Sequence, residues 1–443
     1  MAGLDVGGMD EAAAAAQLAE LEQQLMLPLE LEAGTVITTL RPLDIGLTLP
    51  IDSLLAEARQ ASETGAAARV ALQVDYDTHA LQARLDSFAA QLASTTPLSL
   101  LAETDTFSRS FVYTPALTIN MEQAVQVIER RLASPLAARR VTLELVSDPD
   151  RAPEPVPLAQ IQPQIEAMAA LWDGIVGVYV YDLATGETIS YNADTVFSGA
   201  SVMKVPILLQ AYANLPELTE KQRFWARTMI LESDNLNANA LLAASVGGAG
   251  TEDALVAVQQ MTASLQQLGL QHTYQNLPYE AYEYLVLLNG YEIPSGPPQE
   301  GTPPYTEADP LVRTTPAEIG SLFVMLDQCS TGEGPLLELF SENLTEQRCQ
   351  EMLDLLAENP DDIRMRSGLP TAARVEHKAG WVEDMQADVG IVRSPGGDFV
   401  LAVYLYQETD WLRDHIAGPV LGDFARLVYS AYNPIPLVET TQE

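Results

Sequence analysis

The spacing of apolar positions along the chain changes several times, and each change marks an element. Residues 12–16 with Leu18, Leu21 and Leu25 have helical spacing and an acidic flank. Residues 1–28 therefore read as a tail and a short helix, a linker from an upstream domain or an anchor. Residues 36–40 and 45–49 are rich in β-branched and apolar types and predict strands. Residues 50–58 open a helix with Asp52 or Ser53 as its cap. Residues 69–76 alternate, with Val70, Leu72, Val74 and Tyr76 on one face, as a strand should. A helix over 77–92 follows, with Leu81, Leu85, Phe88 and Leu92 on one side. The pattern then recurs: short strands over 111–120, a helix over 121–132 and a strand over 141–146. Residues 29–157 thus predict an α+β domain with a hint of duplication. It closes in a proline-rich linker, 148–157, that favours an extended path.

A second domain is predicted over 158–434. It starts with a helix over 161–172 and a strand over 174–182 with valines at alternate positions. A turn at 184–187 sends the chain back antiparallel. An apolar helix begins near Ser201, and a mostly helical block continues to about residue 356. Residues 387–393 and 399–406 form a second hairpin across Pro395-Gly396-Gly397, and a helix over 417–432 closes the domain. Both hairpins are expected in one antiparallel sheet with the helical block beside it. Residues 435–443 read as a tail. The fold class is α+β, a larger C-terminal domain preceded by a smaller one.

Composition narrows the function. The chain has 443 residues, enough for two or three domains, and is 47% hydrophobic. Lys and Arg number 23 against 61 Asp and Glu, a formal net charge of -38. Such a surface argues against nucleic acid and anionic membranes. No apolar run reaches the roughly 18 residues of a membrane span. The first residues lack a basic stretch, so an export signal or anchor is expected outside residues 1–443. Cys329 and Cys349 would close a loop worth roughly 3 kcal/mol if bonded, and two free thiols fit equally well. Two Cys and four His show no ligand spacing, so neither a metal nor another cofactor is expected.

Candidate chemistry starts at Ser201 and Lys204. They are three apart where a helix begins, so a hydroxyl and an amine share one face. A buried lysine with a lowered pKa can take the serine proton, and amides at the helix start can hold an oxyanion. Ser233-Asp234-Asn235 is a second polar cluster, of the kind that builds a turn. His377-Lys378-Ala379-Gly380-Trp381 precedes the final hairpin. A lysine there can offer charge to a substrate, and the glycine lets a backbone approach closely.

In this order, Ser-x-x-Lys, Ser-Asp-Asn and Lys-x-Gly resemble the signature of class A β-lactamases and penicillin-binding proteins. Residues 314–320, Thr-Thr-Pro-Ala-Glu-Ile-Gly, strengthen the resemblance to the class A branch. It covers about residues 160–434. It implies that Ser201 is the acylated nucleophile and Lys204 its base, and that Ser233 relays a proton to the leaving nitrogen. Asp234 would fix the turn, and Asn235 would hold Lys204 and the substrate amide. Lys378, Ala379, Gly380 and Trp381 would line the substrate, with oxyanion donors from the backbone of Ser201 and Trp381. Residues 29–157 resemble, in order of elements, the peptidoglycan-binding modules found beside cell-wall enzymes.

The sequence departs from that family at three places. Ala379 stands where a threonine is usual, so a hydroxyl that would bind a substrate carboxylate is missing, a bond worth about 1.5–3 kcal/mol. The Glu-x-x-Leu-Asn string of the deacylating glutamate is absent before Thr314, leaving Glu280, Glu283, Glu300 and Glu307 as candidates. Asp388 replaces a basic residue, with Arg393 as a possible substitute for holding a carboxylate. The expectation is a serine hydrolase of the β-lactamase type, acting on a small-molecule β-lactam or a peptidoglycan peptide, in the cell envelope or outside it. The alternatives are a D,D-peptidase-like enzyme, or a non-catalytic protein of this fold that binds the wall through its N-terminal domain.

Overall fold

The computed structural model describes residues 6–63, 70, 72–92, 98–102, 106–134, 138–148, 153–296, 299 and 303–437. It divides into two compact units. One comprises Met1–Pro97, Tyr113–Pro153 and Pro436–Glu443, and the other Leu98–Val112 and Glu154–Ile435. The boundary expected at 157/158 gives all of 29–157 to the first domain, whereas residues 98–112 here belong with the second unit. The reason is burial: Phe111 sits in the second unit's core and its N–H donates to Ser430 Oγ at 2.9 Å.

In the first unit, the helix Glu11–Leu25 is not a separate linker. Its Leu18, Leu21 and Leu25 are buried in the same core as Leu29, Leu31 and Phe88. Leu29–Ala33 and Val36–Leu40 form an antiparallel hairpin, and Arg140–Thr142 adds to it in parallel. No strand forms at 45–49: a 3₁₀ turn, Pro42–Ile45, runs into its first residue, Gly46 is left-handed after it, and Thr48 makes one bridge to Asp75. That bridge is the one ladder contact of the strand expected over 69–76, among its described residues. The predicted strand 141–146 is two strands, the second, Leu145–Ser147, pairing with Leu117–Ile119. Helices Thr78–Leu92 and Met121–Leu132 lie where the periodicity places them.

The second unit is built on a five-stranded antiparallel sheet in the order Arg374–Trp381, Met385–Arg393, Phe399–Tyr406, Ile175–Asp182, Thr188–Tyr191. Period-two alternation gives each face its own core. Val389, Ile391, Ala402 and Tyr404 face the helical block. Val178, Leu401, Val403 and Leu405 face the helices Leu158–Ala169 and Asp414–Tyr432. The edge strand Arg374–Trp381 pairs Lys378 with Val389 and Gly380 with Ala387. Lys378 and Gly380 therefore look toward the helical block, while His377 and Ala379 share the other face with Asp388. Thr315 caps the helix Pro316–Ser330 by accepting from the N–H of Glu318, which explains the Thr-Thr-Pro string. Cys329 and Cys349 are joined in a disulfide and fully buried, tying that helix to Glu346–Ala357.

Candidate active site

Ser201 lies in a 3₁₀ turn, Ala200–Met203, which runs straight into the helix Lys204–Asn214. Ala200 just before it is left-handed, with φ of 45°. A residue with a Cβ seldom adopts that geometry. Tyr279 holds it in place, its hydroxyl donating to the carbonyl of Ala200 at 2.7 Å.

Lys204 is completely buried. Its Nζ reaches Ser201 Oγ at 2.8 Å, the Ser233 carbonyl at 2.8 Å, Ser233 Oγ at 3.0 Å and Asn235 Oδ1 at 2.7 Å. The Tyr279 ring lies beneath it, 4.7 Å from Nζ to the centroid. An ammonium has three protons for these four oxygens, whereas a neutral amine has a lone pair free for the Ser201 proton. Burial drives the Lys204 pKa down to about 7, nearby Lys378 lowers it further, and Asp234 and Glu280 pull the other way.

Ser233 is also left-handed, with φ of 56°. This turns both its carbonyl and its hydroxyl toward Lys204. Asp234 is the N-cap of Asn235–Ser245, accepting from the N–H of Asn237 at 2.6 Å. Asn235, at the first position of that helix, uses both ends of its amide. Its oxygen accepts from Lys204, and its Nδ2 donates to Glu280 Oε1 at 2.8 Å. The loop carrying Glu280 is anchored by Asn239, whose side chain exchanges two hydrogen bonds with the backbone of Tyr279. Glu280 has φ of 56° as well. Three left-handed residues other than glycine thus flank the Ser201–Lys204 pair, the kind of clustering that marks functional sites.

Of the four glutamates that sequence leaves open, the structure brings Glu280 to the Ser201–Lys204 cluster. Glu283 starts an exposed π-helical turn, Glu283–Leu288. Glu307 is exposed beside Asp384 and Tyr406. Glu300 lies outside the described residues.

Lys378 is buried, and its Nζ donates to the Ala379 carbonyl at 2.9 Å. Burial lowers its pKa to about 8 and Arg364 lowers it as well, against Asp388 and Asp361. Gly380 is where the edge strand meets the nucleophile. A Cβ placed there would lie 2.9 Å from the Val202 nitrogen and 3.1 Å from the Ser201 nitrogen. Trp381 is 51% exposed and packs edge-on against Trp411, ring centroids 5.7 Å apart. A cleft of about 260 Å³ opens between Ser233, Lys378, Ala379 and Trp381 on one side and residues 359–364 on the other.

Arg393, the basic substitute expected from sequence, does not serve this cleft. Arg393 is held by Asp327, Glu376 and Asp398 at the far end of the sheet. Asp388 is fully buried, accepting from His377 Nδ1 and the N–H of Met365. The arginine that lines the cleft is Arg364, which no motif announces. Tyr279 and Trp411 are further residues missed in sequence; each lies outside the three motifs and is brought in by loop packing. Among the described residues no group of three or more His, Cys, Asp or Glu could hold a metal ion, and no helix is long and apolar enough to cross a membrane.

A search of curated proteins finds no match. Solved structures similar to this chain include a mutant of PBP-A titled as an acyl-enzyme complex with penicillin G. It is 20% identical over 64% of this chain and 99% of that one, with a TM-score of 0.46. An ancestral (GNCA) class A β-lactamase is 23% identical over 61% of this chain and 100% of its own, with a TM-score of 0.45. A variant of the β-lactamase of the last common ancestor of Gram-negative bacteria is 24% identical, covering 62% and 98%, with a TM-score of 0.45. The family model described as the beta-lactamase enzyme family matches residues 160–224 and 218–432, which hold Ser201, Lys204, Ser233, Asn235, Glu280 and Lys378. With the family model matched over more than half its length, the chain belongs to the beta-lactamase enzyme family.

Proposed function

We propose that the protein hydrolyses a β-lactam or related activated amide through an acyl-enzyme on Ser201. The observation that carries this is the buried Lys204 amine, 2.8 Å from Ser201 Oγ and depressed to about 7. In its neutral form Lys204 takes the Ser201 proton as Oγ attacks the carbonyl carbon. The developing oxyanion is met by the backbone N–H groups of Ser201 and Trp381, which Gly380 allows to approach. Lys204 passes the proton through Ser233 to the leaving nitrogen, and the C–N bond breaks. Asn235 keeps Lys204 and the substrate amide in line. For the second half-reaction, Glu280 takes a proton from water, the hydroxide attacks the acyl carbon, and Oγ leaves with a proton. The bond from Asn235 to Glu280 supports that role.

Incubation with a fluorescent penicillin, followed by intact mass and peptide mapping, tests the first step. The expected result is one adduct, on Ser201, abolished in Ser201→Ala. Neither an adduct nor hydrolysed penicillin from folded protein would leave a non-catalytic protein of this fold. Nitrocefin separates the remaining readings: repeated turnover fits a hydrolase, and a single stoichiometric burst fits a D,D-peptidase-like enzyme.

The buried disulfide supports a place in the cell envelope or outside the cell, since such bonds persist in oxidising compartments. Cell-wall binding by the first unit is tested by sedimenting the full chain with purified peptidoglycan. Protein left in the supernatant would remove that role.

A further inference from the structure

The end of the cleft beyond Ser233 carries the wrong charge for a carboxylate. Its lining includes Lys378 and Arg364, but also Glu232, Asp361 and Asp362. Arg364 is buried and already committed. One terminal nitrogen donates to Asp361, the other to Asp414 at 2.7 Å, and Nε to Gln386 Oε1 at 3.2 Å. Its charge is thus matched by two carboxylates before any ligand arrives. Asp362 is exposed on the same segment. Ala379 brings no hydroxyl to the opposite wall. Lys378 is the remaining cation, and Nζ spends one proton on the Ala379 carbonyl.

We propose that this subsite takes an uncharged amide, not a free carboxylate, on the leaving-group side of the scissile bond. An amide supplies both partners the walls require. Its oxygen accepts from Lys378 Nζ, and its N–H donates to the carboxylate of Asp362. A carboxylate would face Asp361 and Asp362 as a like charge, and an ammonium would face Lys378. The substrate class is therefore a chain continuing through a further amide, or one ending in a carboxamide. This deepens, and rests on, the assignment of the cleft to Ser201 chemistry.

Three thioesters with one common acyl group test it, with thioglycolate, thioglycolamide or thiocholine as the leaving thiol. Their leaving groups end in a carboxylate, a carboxamide and an ammonium. Each acylation rate constant is divided by that thioester's own rate with hydroxide, which removes differences in leaving ability. The amide is expected to exceed the carboxylate by about tenfold or more. In Asp362→Asn combined with Ala379→Thr, the preference should shrink by about threefold or more, with folding checked by circular dichroism. A carboxylate that reacts as fast as the amide, an ammonium that reacts fastest, or a preference unmoved by the double variant would each overturn the proposal. Mass adducts on Ser201 keep the two levels apart. Adducts from all three thioesters without amide preference overturn this proposal alone. Absence of both adduct and catalysed thiol release from all three overturns the hydrolase reading and this proposal with it.

Discussion

The side chains of Asn235 and Glu280 are 2.8 Å apart, and the far end of the same amide is bonded to Lys204. One asparagine therefore connects the proposed acylation base to the proposed deacylation base. Glu280→Gln keeps the shape and removes the basicity. Acylation should continue, deacylation should slow by about 10²–10⁴-fold, and the adduct should accumulate in intact mass spectra. Unchanged turnover would remove Glu280 from the mechanism.

The two lysines set a pH window. Lys204 is held near 7 mainly by burial, so below that pH it carries its proton and cannot take another from Ser201. The acylation rate should fall as pH drops through about 7. Lys378 is held near 8, again mainly by burial, so above that pH its charge is lost to the substrate oxygen. The rate should fall on that side too. A profile from about pH 5 to about pH 10 should be bell-shaped, and Lys378→Met should lose the alkaline limb and keep the acid one, moved to higher pH because the Lys378 charge no longer lowers Lys204. A flat acid limb would show that Lys204 is not the base.

Much of this site is written in local strings, and the rest is not. Ser201 and Lys204 share a helical face by spacing alone, and Asp234 caps a helix as short polar residues do. The final hairpin and the sheet follow from alternation. Glu280 could not be separated from Glu283 or Glu307, because what selects it is the anchoring of its loop by Asn239, forty residues earlier in the chain. Arg364 was silent for the same reason: its partners Gln386 and Asp414 are distant in sequence. In the first unit, the strand read over 45–49 failed because Pro42 and Gly46 impose a tight turn on an otherwise β-rich run.

Gly380→Ala should damage the chemistry more than the fold. The added methyl would press on the nitrogens of Val202 and Ser201, which are backbone and cannot swing away. The edge strand must shift outward, taking the Trp381 N–H from the oxyanion. Acylation should fall by about 10²-fold, since small displacements at a reacting centre cost that much. Thermal melting and acylation measured on one preparation check this. Full activity in Gly380→Ala would show that the strand does not approach Ser201 closely.

Removing the disulfide should weaken the helical block. Cys329→Ala with Cys349→Ala opens a loop spanning 20 positions, and the loss is expected to be about 3 kcal/mol. Urea unfolding of oxidised wild type and the double variant measures it. A difference under about 1 kcal/mol would mean that the packing of the two helices suffices without the bond.

The left-handed backbone at Ala200, Ser233 and Glu280 sets two kinds of selection against each other. A glycine at any of them would relax the local geometry, since it alone visits that region without penalty. At Ser233 and Glu280 the exchange also discards a side chain bonded to Lys204 or Asn235. Ala200 is the one position of the three where endurance could be traded directly against turnover, which makes it the place where a lineage favouring a sturdier chain would first grow sluggish.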